Sequence, residues 1–174
     1  MDPLDWLAEQ AVAWVTSLRT VHRPHSQILP PAQRGRLEPF FDVMTLDRAR
    51  FRVVPIIENP PFLTQAQELG IPPAIDFTQM SGLTLDDTVL LSEHRPVDNF
   101  LALLFHELVH IVQYEILGVN EFLRQYVVGF AEGGFDYNAI PLERQAYELQ
   151  RRFEILPPGM TFSVREDIRR FLGA

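Results

Sequence analysis

The sequence predicts an α+β domain in which a small antiparallel or mixed sheet accompanies one deeply buried helix and a second helix packed against it. Three observations carry this. Apolar residues recur at helical spacing near the start of the chain and again after Asn138. Strand-like runs lie at residues 51–57 and on both sides of Asp86-Asp87. Between them, residues 100–105 are apolar on every side, which marks a helix inside the domain rather than on its surface. The chain has 174 residues, 47% hydrophobic and 22% charged, enough apolar material for one core. A single domain over 1–174 is expected, with an N-terminal helical and strand part (1–80), a central core (82–153) and a C-terminal tail or helix (154–174).

Taken in order, Asp2 is an N-cap and Pro3 a first helical residue, followed by the stripe Leu4, Leu7, Ala11, Trp14, Val15 and Leu18. This helix is expected to pack on the core, since its polar face lacks the basic enrichment of a membrane-surface helix. His22 and His25 follow beside Pro24 and read as surface residues near a helix C-terminus. Residues 30–41 begin with Pro-Pro and suit a short helix. The run at 51–57 is β-rich, but Pro55 restricts it to an edge strand or a strand end. Pro60, Pro61, Pro72 and Pro73 stiffen the connection over 58–76, around a short helix ending at Gly70. Residues 82–93 read as a hairpin turning at Asp86-Asp87. The longest helix starts near 96–98 and stops at Leu117, with Gly118 as its C′ residue. Residues 121–130 are helical, Gly133 and Gly134 form a loop, and a last helix has Pro141 in its first turn and Leu142, Ala146, Leu149 and Phe153 on one face.

Composition removes several chemistries. All 15 basic residues are Arg and there is no Cys, so Schiff bases, phosphate-loop lysines, thiol nucleophiles and thiolate metal sites are excluded. A net charge of -8 argues against a nucleic-acid partner. The acidic start at Asp2 and Asp5 does not resemble a secretory signal, and no uninterrupted apolar run reaches the roughly 18 residues that span a bilayer. The expectation is a cytoplasmic protein without a membrane partner.

The chemistry is concentrated in His106-Glu107-Leu108-Val109-His110, on the buried helix. Imidazoles four residues apart share a helix face and can reach one metal ion, while Glu107 stands one position round, beside the ion. Zinc takes two His and one further protein ligand and leaves a position for water, whose proton Glu107 can accept. A wholly apolar helix would otherwise carry three ionisable groups at a cost of several kcal/mol. For the third ligand the candidates are Asp136, Glu143, Glu148, Glu132 and His94. Glu143 is preferred because it opens the next helix, where the helix dipole favours a carboxylate and the small Ala146 permits close approach. Glu148 lies about 140° further round that helix and cannot share the ion with Glu143.

The stretch Leu104-Phe105-His106-Glu107-Leu108-Val109-His110-Ile111-Val112-Gln113-Tyr114, followed by Ile140-Pro141-Leu142-Glu143-Arg144-Gln145-Ala146-Tyr147, resembles the gluzincin clan of zinc metallopeptidases. Within the clan it is most similar to small bacterial peptidase-like domains with a later Glu-x-x-Ala helix. The resemblance covers residues 82–153. It implies a zincin-like fold, one zinc ion held by His106, His110 and Glu143, and Glu107 as general base. It also implies a peptide or protein substrate, paired by its backbone with a cleft strand for which residues 88–92 are the candidate. Where thermolysin-like members have an Asp bonded to a ligand His, this chain has Tyr147. An oxyanion donor is also required; Tyr137, Tyr147, Tyr126 and His94 are available, with Tyr137, beside the Gly133-Gly134 loop, as the candidate catalytic partner of Glu107.

Zinc-dependent hydrolysis of peptide bonds is therefore the leading expectation. The alternative is a zinc-stabilised interaction or regulatory domain with little or no catalysis. A narrow regulatory protease that cuts one partner differs from the first only in substrate range.

Overall fold

The computed structural model describes residues 2–72 and 75–173; Pro73, one of the prolines of the stiffened connection, lies outside the described residues. Helix α1 (Pro3–His22) begins as its sequence dictates, with the Asp2 carboxylate accepting from the Leu4 N–H at 2.9 Å and Pro3 in its first turn. Its inner face buries Leu7, Ala8 and Val15. Two short helices, α2 (Pro31–Leu37) and α3 (Val43–Arg48), lead into strand β1 (Arg50–Val54), which ends just before Pro55. The proline-stiffened connection then carries helix α4 (Leu63–Glu68), closed by Gly70 at φ 86°.

Strands β2 (Gly82–Leu85) and β3 (Thr88–Ser92) form the expected antiparallel hairpin, and β1 joins β3 in parallel, giving the order β1-β3-β2. The hairpin turn is fixed from outside the sheet. Asp86 adopts φ 60°, and the buried Asp87 carboxylate receives Arg19 Nε at 2.7 Å and Arg23 Nη1 at 2.8 Å, both from the C-terminal end of α1. Burial opposes the Asp87 charge, but these guanidinium groups hold its pKa below the ordinary range. All five residues of β3 are buried.

Helix α5 (Phe100–Glu132) starts later than the sequence reading put it, because Asn99 rather than a residue at 96–98 supplies the cap, accepting from the Ala102 N–H at 3.1 Å. Its first turn is not enclosed on all sides: Phe100 is 44% exposed, and unbroken burial runs from Leu104 to Tyr114. Gly118 has the positive φ expected of a stop (φ 75°, ψ 162°) and interrupts the helix there; helical geometry resumes directly after it rather than at residue 121, so α5 is two helical segments joined at a kink. This helix is long and apolar enough to cross a membrane, and 67% of its most apolar window is buried within the fold.

Helix α6 (Pro141–Ile155) packs along α5, with Ala146 fully buried at the crossing and Phe153 stacked on Phe105 at 4.4 Å between centroids. The chain ends in a helix rather than a tail, α7 (Val164–Leu172), which buries Val164 and Ile168 and stops at Gly173 in the left-handed region. Glu115 of α5 ties this side together, accepting from Thr45 Oγ1 at 2.8 Å and pairing with Arg48 and Arg165.

Candidate metal centre

The three preferred ligands converge. His106 and His110 of α5 and Glu143 in the first turn of α6 are all buried, and one ligand atom from each lies within 4.8 Å of the others. The two imidazole Nε2 atoms are 3.1 Å apart, and the Glu143 oxygens lie 3.3 Å from His106 Nε2 and 3.4 Å from His110 Nε2. Of the remaining candidates, His94, Glu132, Asp136 and Glu148 are exposed and outside this group; Asp136 caps a turn through the Asn138 N–H at 2.9 Å. His22 and His25 lie at the far end of α1 and also take no part.

The outer faces of the imidazoles determine what the inner faces offer. His110 Nδ1 is 2.8 Å from Gln113 Oε1, and His106 Nδ1 is 3.1 Å from Gln150 Oε1. The Gln113 amide is itself oriented, since its Nε2 donates to the Leu142 carbonyl at 3.0 Å and to Gln145 Oε1 at 2.9 Å. An amide oxygen only accepts, so each Nδ1 carries the proton and each Nε2 presents a lone pair to the centre. Two lone pairs therefore face a carboxylate, whose Oε2 is buried without a hydrogen-bond partner. Such a set is stable only around a positive charge, either a proton or a metal ion. Without an ion, a proton on His110 can supply that charge. Burial opposes the charged His110, but Glu143, Glu107 and the Gln113 hydrogen bond outweigh it and raise its pKa from 6.5 to about 9. Burial likewise opposes the Glu143 charge, and the two imidazoles bring its pKa well below the usual range.

Glu107 is buried beside this group and does not belong to it. Thr84 Oγ1 of β2 lies 2.6 Å from Glu107 Oε2 and donates to it. Gly82 presses so closely on Glu107 Oε1 that a Cβ there would overlap it, so the carboxylate is held between strand and helix. Tyr126 donates its hydroxyl to Glu143 Oε1 at 2.8 Å. Tyr137 lines the same space, and its pKa is raised by burial first and then by the facing Glu143 charge, which keeps it a neutral donor. Tyr147 takes no hydrogen bond from an imidazole; its ring lies against His106 at 4.4 Å between centroids, and the orienting role falls to Gln150.

The cleft strand needs correction. Residues 88–92 form β3, the middle strand, whose backbone is paired with β1 on one side and β2 on the other, so no added chain can pair with it. The edge beside the metal group is β2, which brings Gly82 and Thr84 to Glu107. Gln113, Gln150, Thr84 and Gly82 were missed as site residues. Two carried a signal, because Gln113 lies three residues after His110 and Gln150 seven after Glu143, spacings that share a helix face. Thr84 and Gly82 had none, since only the packing of β2 on α5 brings them near. Comparison with family models, with curated proteins and with solved structures gives no match.

Proposed function

We propose that this chain is a zinc metallopeptidase with a zincin-like arrangement of a small sheet, a motif-bearing helix and a second ligand-bearing helix. The observation that carries the reading is the pair of Nε2 lone pairs aimed at the Glu143 carboxylate, one oxygen of which has no hydrogen-bond partner, with a further carboxylate anchored alongside. His106, His110 and Glu143 fit zinc by donor type and number, leaving one position open. Zinc bound there would supply a Lewis acid that polarises the scissile carbonyl and makes water more acidic. Glu107 accepts the proton of the attacking water and returns it to the leaving amine, and the Thr84 hydrogen bond keeps the carboxylate aimed. Tyr137 is the hydroxyl offered to the developing oxyanion. The edge of β2 is the surface on which an extended peptide adds by backbone pairing.

A zinc-stabilised interaction domain is the second reading, favoured by the depth of the group: His106 and His110 are each 5% exposed and Glu143 3%, and the ligands join α5 to α6. Substituting Glu107→Gln separates the two. On the peptidase reading the variant retains zinc and loses cleavage of a mixed peptide library by about 10²–10⁴-fold in kcat. A parent that binds zinc and cleaves nothing favours the second reading, and a chain that takes up no zinc after careful loading overturns both.

A further inference from the structure

Two cavities meet at His106, Glu107 and Tyr137. One, of about 470 Å³, is lined by polar groups including Asp76, Gln79, Asn99, Gln150 and Glu154. The other, of about 140 Å³, extends from the metal group towards α1 and α4 and is walled by Leu7, Trp14, Phe62, Phe77 and Leu83. Its aromatic wall is held by edge-to-face contacts of Trp14 with Phe62 at 6.2 Å and with Phe77 at 5.2 Å. Among the described residues no arginine lines either cavity.

We propose that the apolar cavity is a specificity pocket that holds one bulky apolar side chain, aromatic or large aliphatic, of the substrate residue next to the scissile bond. Size, chemistry and continuity argue for it. An apolar cavity of about 150 Å³ stays dry and takes up a benzene ring, which matches this volume. An acidic side chain would be desolvated among these apolar walls with no arginine to meet it, and the charge at the metal end is already faced by Glu143. The pocket opens on the side chains of the metal group, so a ring seated in it leaves the adjoining bond beside Glu107 while the remaining peptide leaves through the polar cavity. The identity of the occupant as a substrate residue rests on the peptidase reading, but the walls named above belong to residues 7–83, almost wholly outside the stretch that resembles the gluzincins.

The test titrates metal-free chain with N-acetyl-phenylalanine amide and N-acetyl-aspartate amide, following Trp fluorescence and Tm. The phenylalanine probe is expected to bind saturably and raise Tm, the aspartate probe to do neither. Filling the pocket from α1 with Ala11→Phe, or from α4 with Ala66→Leu, should weaken the first probe at least about tenfold, on the scale by which apolar pockets discriminate. Equal binding of the two probes, no binding of either, or undiminished binding in a folded filled variant overturns the pocket; if a variant fails to fold, the two-probe comparison on the parent decides. With zinc-loaded chain, peptides bearing Phe beside the scissile bond should exceed their Asp counterparts at least about tenfold in kcat/KM. Cleavage without that preference overturns the pocket. Cleavage of no peptide overturns the peptidase reading instead, and the probe titration still decides whether the cavity accepts an apolar side chain.

Discussion

Gln113 is the residue on which the metal group depends most without touching the ion's place. It fixes the His110 tautomer from behind and is in turn fixed by the Leu142 carbonyl and Gln145. Gln113→Ala should weaken zinc binding by about 10–100-fold, read by competition with a chelator; an unchanged affinity would mean that the tautomer is set elsewhere. Gln150→Ala should act in the same direction but less, because its contact is only partly buried. The His110 proton gives a second expectation. A pKa raised to about 9 in the folded metal-free chain contributes stability that is fully present below pH 6.5 and is lost as pH rises through about 9. Zinc must displace this proton, so binding at pH 7 should release about one proton and tighten by about tenfold per pH unit up to pH 9. Calorimetry in buffers of different ionisation enthalpy measures the release, and its absence would show that the metal-free site holds no such proton.

Among the elements, α5 combines the His106-Glu107-Leu108-Val109-His110 motif and a kink. Gly118 adopts φ 75° and ψ 162°, a region open essentially to glycine alone, although nothing lies within 4 Å of where its Cβ would be. Gly118→Ala therefore costs backbone strain rather than space, about 1–3 kcal/mol, which a urea titration should report as a lower midpoint with unchanged slope. A midpoint equal to the parent's would mean that the kink relaxes freely. The element also illustrates the limits of sequence reading. Gly118 announces the break in helical dihedrals and residues 121–130 read as a second helical segment, but that the two join directly at a kink is set by packing: Phe122, Leu123 and Val127 find a buried face against α1 and the following loop. The hairpin 82–93 was legible from alternation and turn residues, whereas its sheet position was not, because β1 enters by parallel pairing with partners 38 residues away in the chain (Arg50 with Thr88).

For the whole molecule, the metal group is a bridge. Its ligands come from α5 and α6, which otherwise meet through apolar packing, so an ion bound there joins the two principal helices of the core. Zinc at 100 times its Kd should add about 2.7 kcal/mol to unfolding stability, visible as a Tm that rises with zinc and falls with chelator. His106→Ala should abolish the zinc dependence. A Tm indifferent to zinc in the parent would contradict a specific site in the folded state.

The sequence by itself indicated most of the helices, the hairpin and the convergence of His106, His110 and Glu143, because helical periodicity puts i and i+4 on one face and a carboxylate at a helix start needs only local geometry. The tertiary structure alone decided that β2 rather than β3 is the edge, that Thr84 and Gly82 hold Glu107, that glutamines rather than Tyr147 orient the imidazoles, and that residues from α1 and α4 wall an apolar cavity beside the centre. These are contacts between segments far apart in the chain, and the long-range packing that creates them leaves no period or spacing to be read in advance.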